Sequence, residues 1–508
     1  MPGAANSPRS PAPGAPPPAQ WGRSPLSTSS SSSCTSGSTE EEEEDVEEEE
    51  ELCDIGLHAI RRGDILGCRY QAEGLLGRGG FSAVWLCRDQ QDGTEVAVKV
   101  YKAGERYREF ALGELRILQA VTKCKPPALG GAASAAAAGQ LDAGSRASSA
   151  GVLALLEQFW QDGGPHCRHA CLVLELLGPS VLELAQRCRG DQLPASLLRA
   201  AARDALRGLD FLHRGCGIIH TDVKPENLLL TVLDGGVAGT GPLSPASRHA
   251  KRRRGPPPGC ARRRRMTCER ALAGGEASAS GCPRASFALA DLGNSCFADA
   301  KVSDYIQTCE YKAPEVLLGA GYGCSADLWS LACTLFECAT GRYLLDPRRV
   351  QARPQELAAA EAAAADAAAT RDARPAAGVS GAGVARGSPE VPIEEEHIAQ
   401  IAELTGPLPD RLLRRGLLTG ELLVEQPAGW TLRRIGRALP QLRRCGLRQR
   451  LSALLREERA VGALEGLLAP MLPPEPSLRS DAKTILEGCC WLWEGAAPRA
   501  ARRSRWDP

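Results

Sequence analysis

Eight consecutive residues, His220-Thr221-Asp222-Val223-Lys224-Pro225-Glu226-Asn227, gather a carboxylate, an ammonium and an amide. The Asp222 carboxylate could accept a proton from a hydroxyl, the Lys224 ammonium could stabilise a transferring phosphoryl group, and the Asn227 amide could hold a metal ion. Asp291, in Asp291-Leu292-Gly293 after the apolar run Phe287-Ala288-Leu289-Ala290, offers a second metal-binding carboxylate. Lys99 ends the run Val96-Ala97-Val98-Lys99, a suitable place for a cation that holds phosphates, and Glu114, fifteen residues on, could pair with it. Leu76-Gly77-Arg78-Gly79-Gly80-Phe81-Ser82 lies upstream, ahead of Val84. Glycines let a backbone pass close over phosphates, although a tight hairpin would use them equally well. Taken singly, Lys99 and Glu114 read as ordinary surface charges.

These groups need elements to hold them. From Asp64 the chain reads as short β-rich runs split by turns such as Asp92-Gly93. A helix is expected over 107–121, with Phe110, Leu112, Leu115, Ile117 and Leu118 as its apolar stripe. Further helical patterns cover 194–213 and a last block over 392–493. Between them lie low-complexity stretches, read as insertions: Ala/Gly/Ser-rich 126–150, Gly/Pro/Arg-rich 231–285 and Ala-rich 351–390. Residues 1–39 lack periodicity, and 40–51 are acidic at every position but Val46, so the N-terminal tail is expected to stay solvated.

The chain has 508 residues, with 61 Lys+Arg against 61 Asp+Glu, which excludes a uniformly basic nucleic-acid coat or a uniformly acidic protein. Its 20 cysteines show no paired CxxC or Cys/His zinc spacing, so neither a structural metal nor a disulfide framework is expected. No apolar N-terminal run resembles a secretory signal and no run is long enough to span a bilayer, so a reducing intracellular compartment is the expectation.

The glycine cluster, strand lysine, helix glutamate, Asp222 loop, Asp291 and Ala313-Pro314-Glu315 occur in the order of the protein-kinase motifs. The chain resembles that superfamily across all its patterned pieces. The resemblance implies an α+β, bilobal eukaryotic protein kinase fold with a β-rich N-lobe and a helical C-lobe, interrupted by disordered inserts. On that reading 64–125 and 151–177 form the N-lobe and hinge, with an insert at 126–150. Residues 178–230, 286–350 and 391–495 form the C-lobe, split by a basic spacer at 231–285 and an Ala-rich insert at 351–390, and 1–63 and 496–508 are tails. The implied roles are Asp222 as catalytic base and Lys224 as γ-phosphate contact. Gly77 and Gly79, flanked by Leu76 and Val84 and followed by Ser82 in place of a third glycine, would cover ATP. Lys99, fixed by Glu114, would bind its α/β-phosphates. Asn227 and Asp291 would ligate Mg²⁺. Val173-Leu174-Glu175-Leu176-Leu177 resembles the hinge, with Leu174 as gatekeeper and the backbones of Glu175 and Leu177 on adenine. Asp327 resembles the buried aspartate of the central helix, and Arg479 the arginine that pairs with Glu315.

Finer features resemble one family, the SR-protein kinases, which phosphorylate serines in Arg/Ser repeats of splicing factors. They are His220-Thr221-Asp222, Leu292 where most kinases have Phe, Asp304-Tyr305-Ile306-Gln307-Thr308, Glu315 to Tyr322, Ala326 to Cys333 and Glu396-His397-Ile398-Ala399-Gln400-Ile401-Ala402-Glu403-Leu404. A dual-specificity kinase of the LAMMER type shares His-Thr-Asp but would carry Phe at 292. A pseudokinase scaffold would have lost Lys99, Asp222, Asn227 or Asp291. The family resemblance implies ATP and Mg²⁺ as cofactors and Arg/Ser-rich splicing factors as partners. It implies no nucleic acid or membrane, a monomer, and a place in cytoplasm and nucleus. Glu396 and Glu403 fall where two carboxylates of an acidic docking groove are expected, while a third is replaced by Arg342. In the spacer, Lys251-Arg252-Arg253-Arg254 and Arg262-Arg263-Arg264-Arg265 could be a plain linker, an import signal or a tether competing with substrate.

Overall fold

Apolar residues alternate along Val96, Val98 and Val100 against Ala97, Lys99 and Tyr101, and the two sets face different cores. The protein, a computed structural model, is described at residues 60–124, 151–164, 167–233, 236–237, 285–348, 392–427, 429–436 and 438–493. Strands β1 (Ile65–Leu66), β2 (Tyr70–Arg78), β3 (Ser82–Asp89) and β4 (Glu95–Tyr101) precede helix α1 (Glu105–Cys124). Strands β5 (Leu155–Gly164) and β6 (Cys167–Glu175) follow, giving a six-stranded antiparallel sheet in the order β1-β2-β3-β4-β6-β5. On one face Val96, Val98 and Val100 pack with Tyr70, Trp85, Cys171 and Val173. On the other, Ala97 and Tyr101 pack with Ala111, Leu115 and Leu118 of α1. The period of two therefore aims Lys99 at the helix.

Helices α2 (Val181–Gln186) and α3 (Ala195–Asp210) open the second half. A π-turn over Phe211–Cys216 ends at Gly217 in the left-handed region, φ 66, and leads into β7 (Ile218–Ile219). Strands β8 (Leu228–Leu233), β9 (Gly236–Val237) and β10 (Ser286–Leu289) form a small sheet ordered β10-β8-β9, and β11 (Cys296–Phe297) pairs with β7. Next come α4 (Pro314–Leu317) and α5 (Ser325–Thr340); α5 is buried almost all round and forms the centre of the larger core. The remaining elements are α6 (Ile393–Thr405), α7 (Asp410–Arg415), α8 (Thr419–Leu422), β12 (Leu423–Gln426), β13 (Gly429–Leu432), α9 (Leu447–Leu454), α10 (Glu458–Leu468) and α11 (Ala482–Gly488).

Three expectations change. The strand expected to stop at 230 runs to Leu233 and pairs with Gly236–Val237, inside the range assigned to the spacer. The block expected to be helical over 392–493 contains the β12–β13 hairpin, whose apolar alternation is too short to compete with a helical pattern in sequence. Phe110 leaves the expected core stripe. It is 38% exposed and stacks on Phe81 of the glycine loop at 4.6 Å, because the first turns of α1 overhang that loop. The buried stripe is instead Ala111, Glu114, Leu115, Ile117, Leu118 and Val121. The acidic tail, the basic runs of the spacer, and the inserts at 126–150 and 351–390 lie outside the described residues. The described cysteines are free thiols, and among the described residues no helix is long and apolar enough to cross a membrane.

Candidate active site

Burial on the α1 stripe brings Glu114 to the face of β4 that carries Lys99. Lys99 Nζ lies 2.8 Å from Glu114 Oε2 and 2.9 Å from Asp291 Oδ1, so one ammonium bridges two acids. Burial works against the Lys99 ammonium, yet the two carboxylates hold its pKa above the ordinary lysine value. Burial raises the pKa of Glu114 despite Lys99. It opposes the Asp291 carboxylate too, but Lys99 outweighs it and keeps that acid below its ordinary value, hence ionised. Gly293 gives these acids room: a Cβ at that position would stand a tight 3.3 Å from both Asp291 Oδ1 and Glu114 Oε2.

The loop after β7 is shaped by Asp327 on α5. Its Oδ2 accepts from the His220 amide at 2.8 Å and its Oδ1 from the Thr221 amide at 2.9 Å, with the His213 ring also 2.8 Å away. These bonds hold Thr221 at φ 69, a conformation that a β-branched residue rarely adopts. Thr221 Oγ1 donates to Asn294 O at 2.7 Å, which ties the loop to the segment after Asp291 without any charged group. Asp222 then projects from this loop. Its Oδ2 accepts from Lys224 Nζ at 2.8 Å and its Oδ1 from the Thr308 hydroxyl at 2.7 Å, while Lys224 also reaches Thr308 Oγ1 at 3.1 Å. The segment around Thr308 is held by Gln307, whose side chain accepts from the Ala313 amide at 2.9 Å and donates to Ser330 Oγ at 2.8 Å.

The oxygen donors suit a hard divalent cation. Asn227 Nδ2 donates to Asp222 O at 2.8 Å and lies 3.3 Å from Asp222 Oδ2, which orients the amide oxygen away from those acceptors. With the ionised Asp291 it offers a second side-chain oxygen that could hold such an ion. Among the described residues there is no group of three or more His, Cys, Asp or Glu that could hold a metal. Two protein oxygens completed by phosphates and water is the usual arrangement for Mg²⁺ and would be a poor one for zinc.

The glycine loop separates the two explanations of its composition. Gly77 pairs with Val84 in the β2–β3 ladder, and the Gly79 amide closes the turn onto Ser82 O at 2.8 Å. Gly77, Gly79 and Gly80 have negative or extended φ, so the hairpin itself does not need glycine. A Cβ at Gly77 or Gly80 would meet nothing within 4 Å, so packing within the fold does not need glycine there either. Leu76 is exposed at the rim, and Ser82 and Lys99 lie on the adjoining strands β3 and β4. At the hinge, Leu174 is buried, and the Glu175 amide and carboxylate are bound to Ala154 at 3.1 and 2.7 Å. Leu177, just beyond β6, is half-buried.

Arg479 and Glu315 form a bidentate pair, both contacts 2.7 Å and both side chains at 0% exposure, with the guanidinium over the Trp329 ring. Glu396 and Glu403 share a face of α6, as their spacing suggests. Each is already engaged, Glu396 by Gln400 at 2.9 Å and Glu403 by Arg450 at 4.0 Å. Arg342 is exposed on the wall of a neighbouring groove of about 850 Å³ that Glu337, Tyr343, Asp346 and Arg450 also line. His397, between the two acids in sequence, is fully buried and burial pulls its pKa down to about 3, so it stays neutral.

Several functional groups were not picked out by sequence reasoning. Thr308 stands in the sequence as the last residue of the run 304–308, and nothing local reveals its contact with Asp222. Glu226, Glu310 and Glu337 converge beside the Asp222 loop, where Tyr311 OH donates to Glu337 at 2.6 Å. Burial, with Glu226 and Glu310, pushes Glu337 up to about 7. A carboxyl whose folded pKa exceeds its ordinary 4.5 stabilises the fold below that value and loses the contribution as pH rises toward 7. Glu337→Gln should therefore flatten the fall in stability between pH about 4.5 and about 7, read as urea midpoints at each pH. An unchanged slope would place the titration elsewhere.

The family described as protein kinase domain matches residues 282–377. The chain is 28% identical to the serine/threonine-protein kinase SRPK of Physarum polycephalum, over 85% of this chain and 88% of that one. It is 29% identical to protein kinase dsk1 of Schizosaccharomyces pombe, over 57% of this chain and 64% of that one. It is 27% identical to SRSF protein kinase 3 of Homo sapiens, over 58% of this chain and 72% of that one.

Proposed function

The chain belongs to the SR-protein kinase family of serine/threonine protein kinases, and from that premise we propose that it transfers the γ-phosphoryl group of ATP to serines in Arg/Ser-rich regions of splicing factors. The observation that carries the catalytic part is the convergence of Asp222, Lys224 and Thr308 beside the Lys99–Glu114–Asp291 chain. In this reading a substrate serine takes the place of the Thr308 hydroxyl at Asp222, which orients it and accepts its proton. Lys224 lies against Asp222 and carries positive charge toward the transferring group. Lys99, fixed by Glu114, holds the α/β-phosphates, and the loop of Gly77 and Gly79 covers them. Asn227 and Asp291 would hold Mg²⁺, which when bound neutralises charge developing on the phosphoryl oxygens. Leu174, Glu175 and Leu177 would frame adenine.

Substrate preference follows from charge. Glu226, Glu310 and Glu337 lie close to one another near the Asp222 loop; burial first, and then the charges of Glu226 and Glu310, raise the pKa of Glu337, while Arg348 pairs with Glu310 at 3.4 Å. A guanidinium beside the target serine would relieve that crowding, and its planar fork suits carboxylates better than an ammonium does. Glu396 and Glu403 would add a weaker, salt-screened attraction for the rest of an Arg-rich chain, since Arg450 and Gln400 already occupy part of their capacity. The same reading has the protein acting as a monomer in cytoplasm and nucleus, on protein rather than nucleic acid or membrane.

The test is transfer from radiolabelled ATP to an Arg/Ser-repeat peptide beside its Arg/Thr and Lys/Ser analogues. Strong labelling of the first and weak labelling of the other two is expected. Equal labelling of Lys/Ser would remove the guanidinium argument, and no labelling of any would remove the substrate assignment.

A further inference from the structure

Lys99 has more to do than Glu114 alone requires. It contacts both Glu114 and Asp291, and on the reading above it must also reach phosphates. Each time it is drawn toward a nucleotide, the Glu114 carboxylate loses part of the one cation that pairs with it among the described residues. A buried carboxylate short of donors is costly and free to shift. The structure supplies another donor. Tyr101 stands two residues after Lys99 on β4, so both side chains leave the same face of the sheet toward α1. Its hydroxyl donates to Glu114 Oε2, the oxygen that lies 2.8 Å from Lys99 Nζ. The Tyr101 ring is buried among Ala111, Leu115 and Leu118, and its centroid is 5.5 Å from Lys99 Nζ. The backbone is anchored as well, with Tyr101 O 2.8 Å from Nδ1 of the buried His169 on β6. A phenol fixed at both ends keeps its donor in place whatever Lys99 does.

We propose that Tyr101 is a positioning residue for phosphoryl transfer: its hydroxyl holds the Glu114 carboxylate, and so α1, in register while Lys99 is shared with the nucleotide. This rests on Lys99 being the phosphate contact. It differs from a packing role, because the ring fills the core with or without its hydroxyl. It also differs from a direct catalytic role, because the hydroxyl points at Glu114 and contributes no bond to the reacting atoms.

Tyr101→Phe removes the hydroxyl alone. The expected result is a loss of about tenfold in kcat/KM for ATP, the scale of a hydrogen bond to a buried charge, with KM for the peptide substrate within about twofold of wild type. Placing Tyr101→Phe in a Glu114→Gln background should cost little more than Glu114→Gln alone, since the carboxylate that the phenol serves is gone. All rates are read well below the melting midpoint of each variant, so that a lowered midpoint does not enter the comparison. A Tyr101→Phe enzyme within about twofold of wild type in kcat/KM for ATP overturns the proposal. So does an equal fold-loss in the wild-type and Glu114→Gln backgrounds, which would mark the hydroxyl as acting elsewhere. Lys99→Met in the same assay separates the two levels. If Lys99→Met is as active as wild type, the reading of Lys99 fails and this proposal with it. If Lys99→Met is inactive and Tyr101→Phe unimpaired, only the role of Tyr101 falls.

Discussion

An Asp222→Asn protein should fold, bind ATP near normally and turn over more slowly by about 10² or more, the scale of a positioned general base. The reason lies in the contacts of the carboxylate. Asp222 accepts from Lys224 Nζ at 2.8 Å and from the Thr308 hydroxyl at 2.7 Å, and Asn227 Nδ2 lies 3.3 Å away. The shape of an asparagine is nearly the same, so the loop held by Asp327 has no cause to move. One oxygen, however, becomes an amide that donates, faces other donors and accepts no proton. On the proposed reading Lys99 and the glycine loop hold ATP and make no contact with Asp222, so nucleotide affinity is the control. Single-turnover rates with nucleotide affinity measured in parallel decide the matter. A variant within about threefold of wild type would mean that another group takes the proton.

The largest expected effect on stability is at Arg479. Its guanidinium makes two bonds of 2.7 Å to Glu315 and also reaches Pro473 O at 2.8 Å, Ser325 O at 3.1 Å and Pro474 O at 3.3 Å. Both side chains are fully shielded from water. Arg479→Leu strands a buried carboxylate together with three carbonyls, and removing one partner of such a pair costs about 3–5 kcal/mol. That is a large share of the roughly 5–15 kcal/mol that holds a folded domain together. Urea unfolding should show the loss, and Glu315→Gln added to Arg479→Leu should recover part of it by removing the orphaned charge. Arg479→Lys should remain well below wild type, because one ammonium cannot span both carboxylate oxygens. A loss under about 1 kcal/mol for Arg479→Leu would contradict the shielded geometry. The activity of any surviving protein should fall too, since Glu315 closes the segment that carries Thr308.

The linear order of glycine loop, Lys99, Glu114, Asp222, Asn227, Asp291 and Glu315 was enough to read a protein kinase, because each residue type sits in a local pattern that also forms its element. The alternation around Lys99 makes a strand with two faces, the apolar stripe through Leu115 and Leu118 makes a helix, and the buried place of Asp327 came from the resemblance alone. The substitution of Thr for Arg at 221 and Leu for Phe at 292 was equally legible, and with the later runs pointed to one family. Local pattern misplaced Phe110, because a helical stripe says which residues line up but not where the helix overhangs its neighbour. It also missed the β12–β13 hairpin, whose short alternation is outweighed by helical periodicity on both sides.

The sequence by itself therefore determined the reaction class and which residues are proposed to meet the phosphates, since these depend on residue type and spacing along single elements. Only the tertiary structure decided which groups surround them. Tyr101 meets Glu114 because β4 and α1 pack face to face. Thr308 meets Asp222 because Gln307 is anchored on α5. Glu226, Glu310 and Glu337 crowd together because a loop, a segment and a helix far apart in the chain converge there, and Arg450 reaches Glu403 because α9 lies against α6. Contacts of this kind are set by the packing of whole elements, and packing answers to the summed burial of many side chains rather than to any local motif.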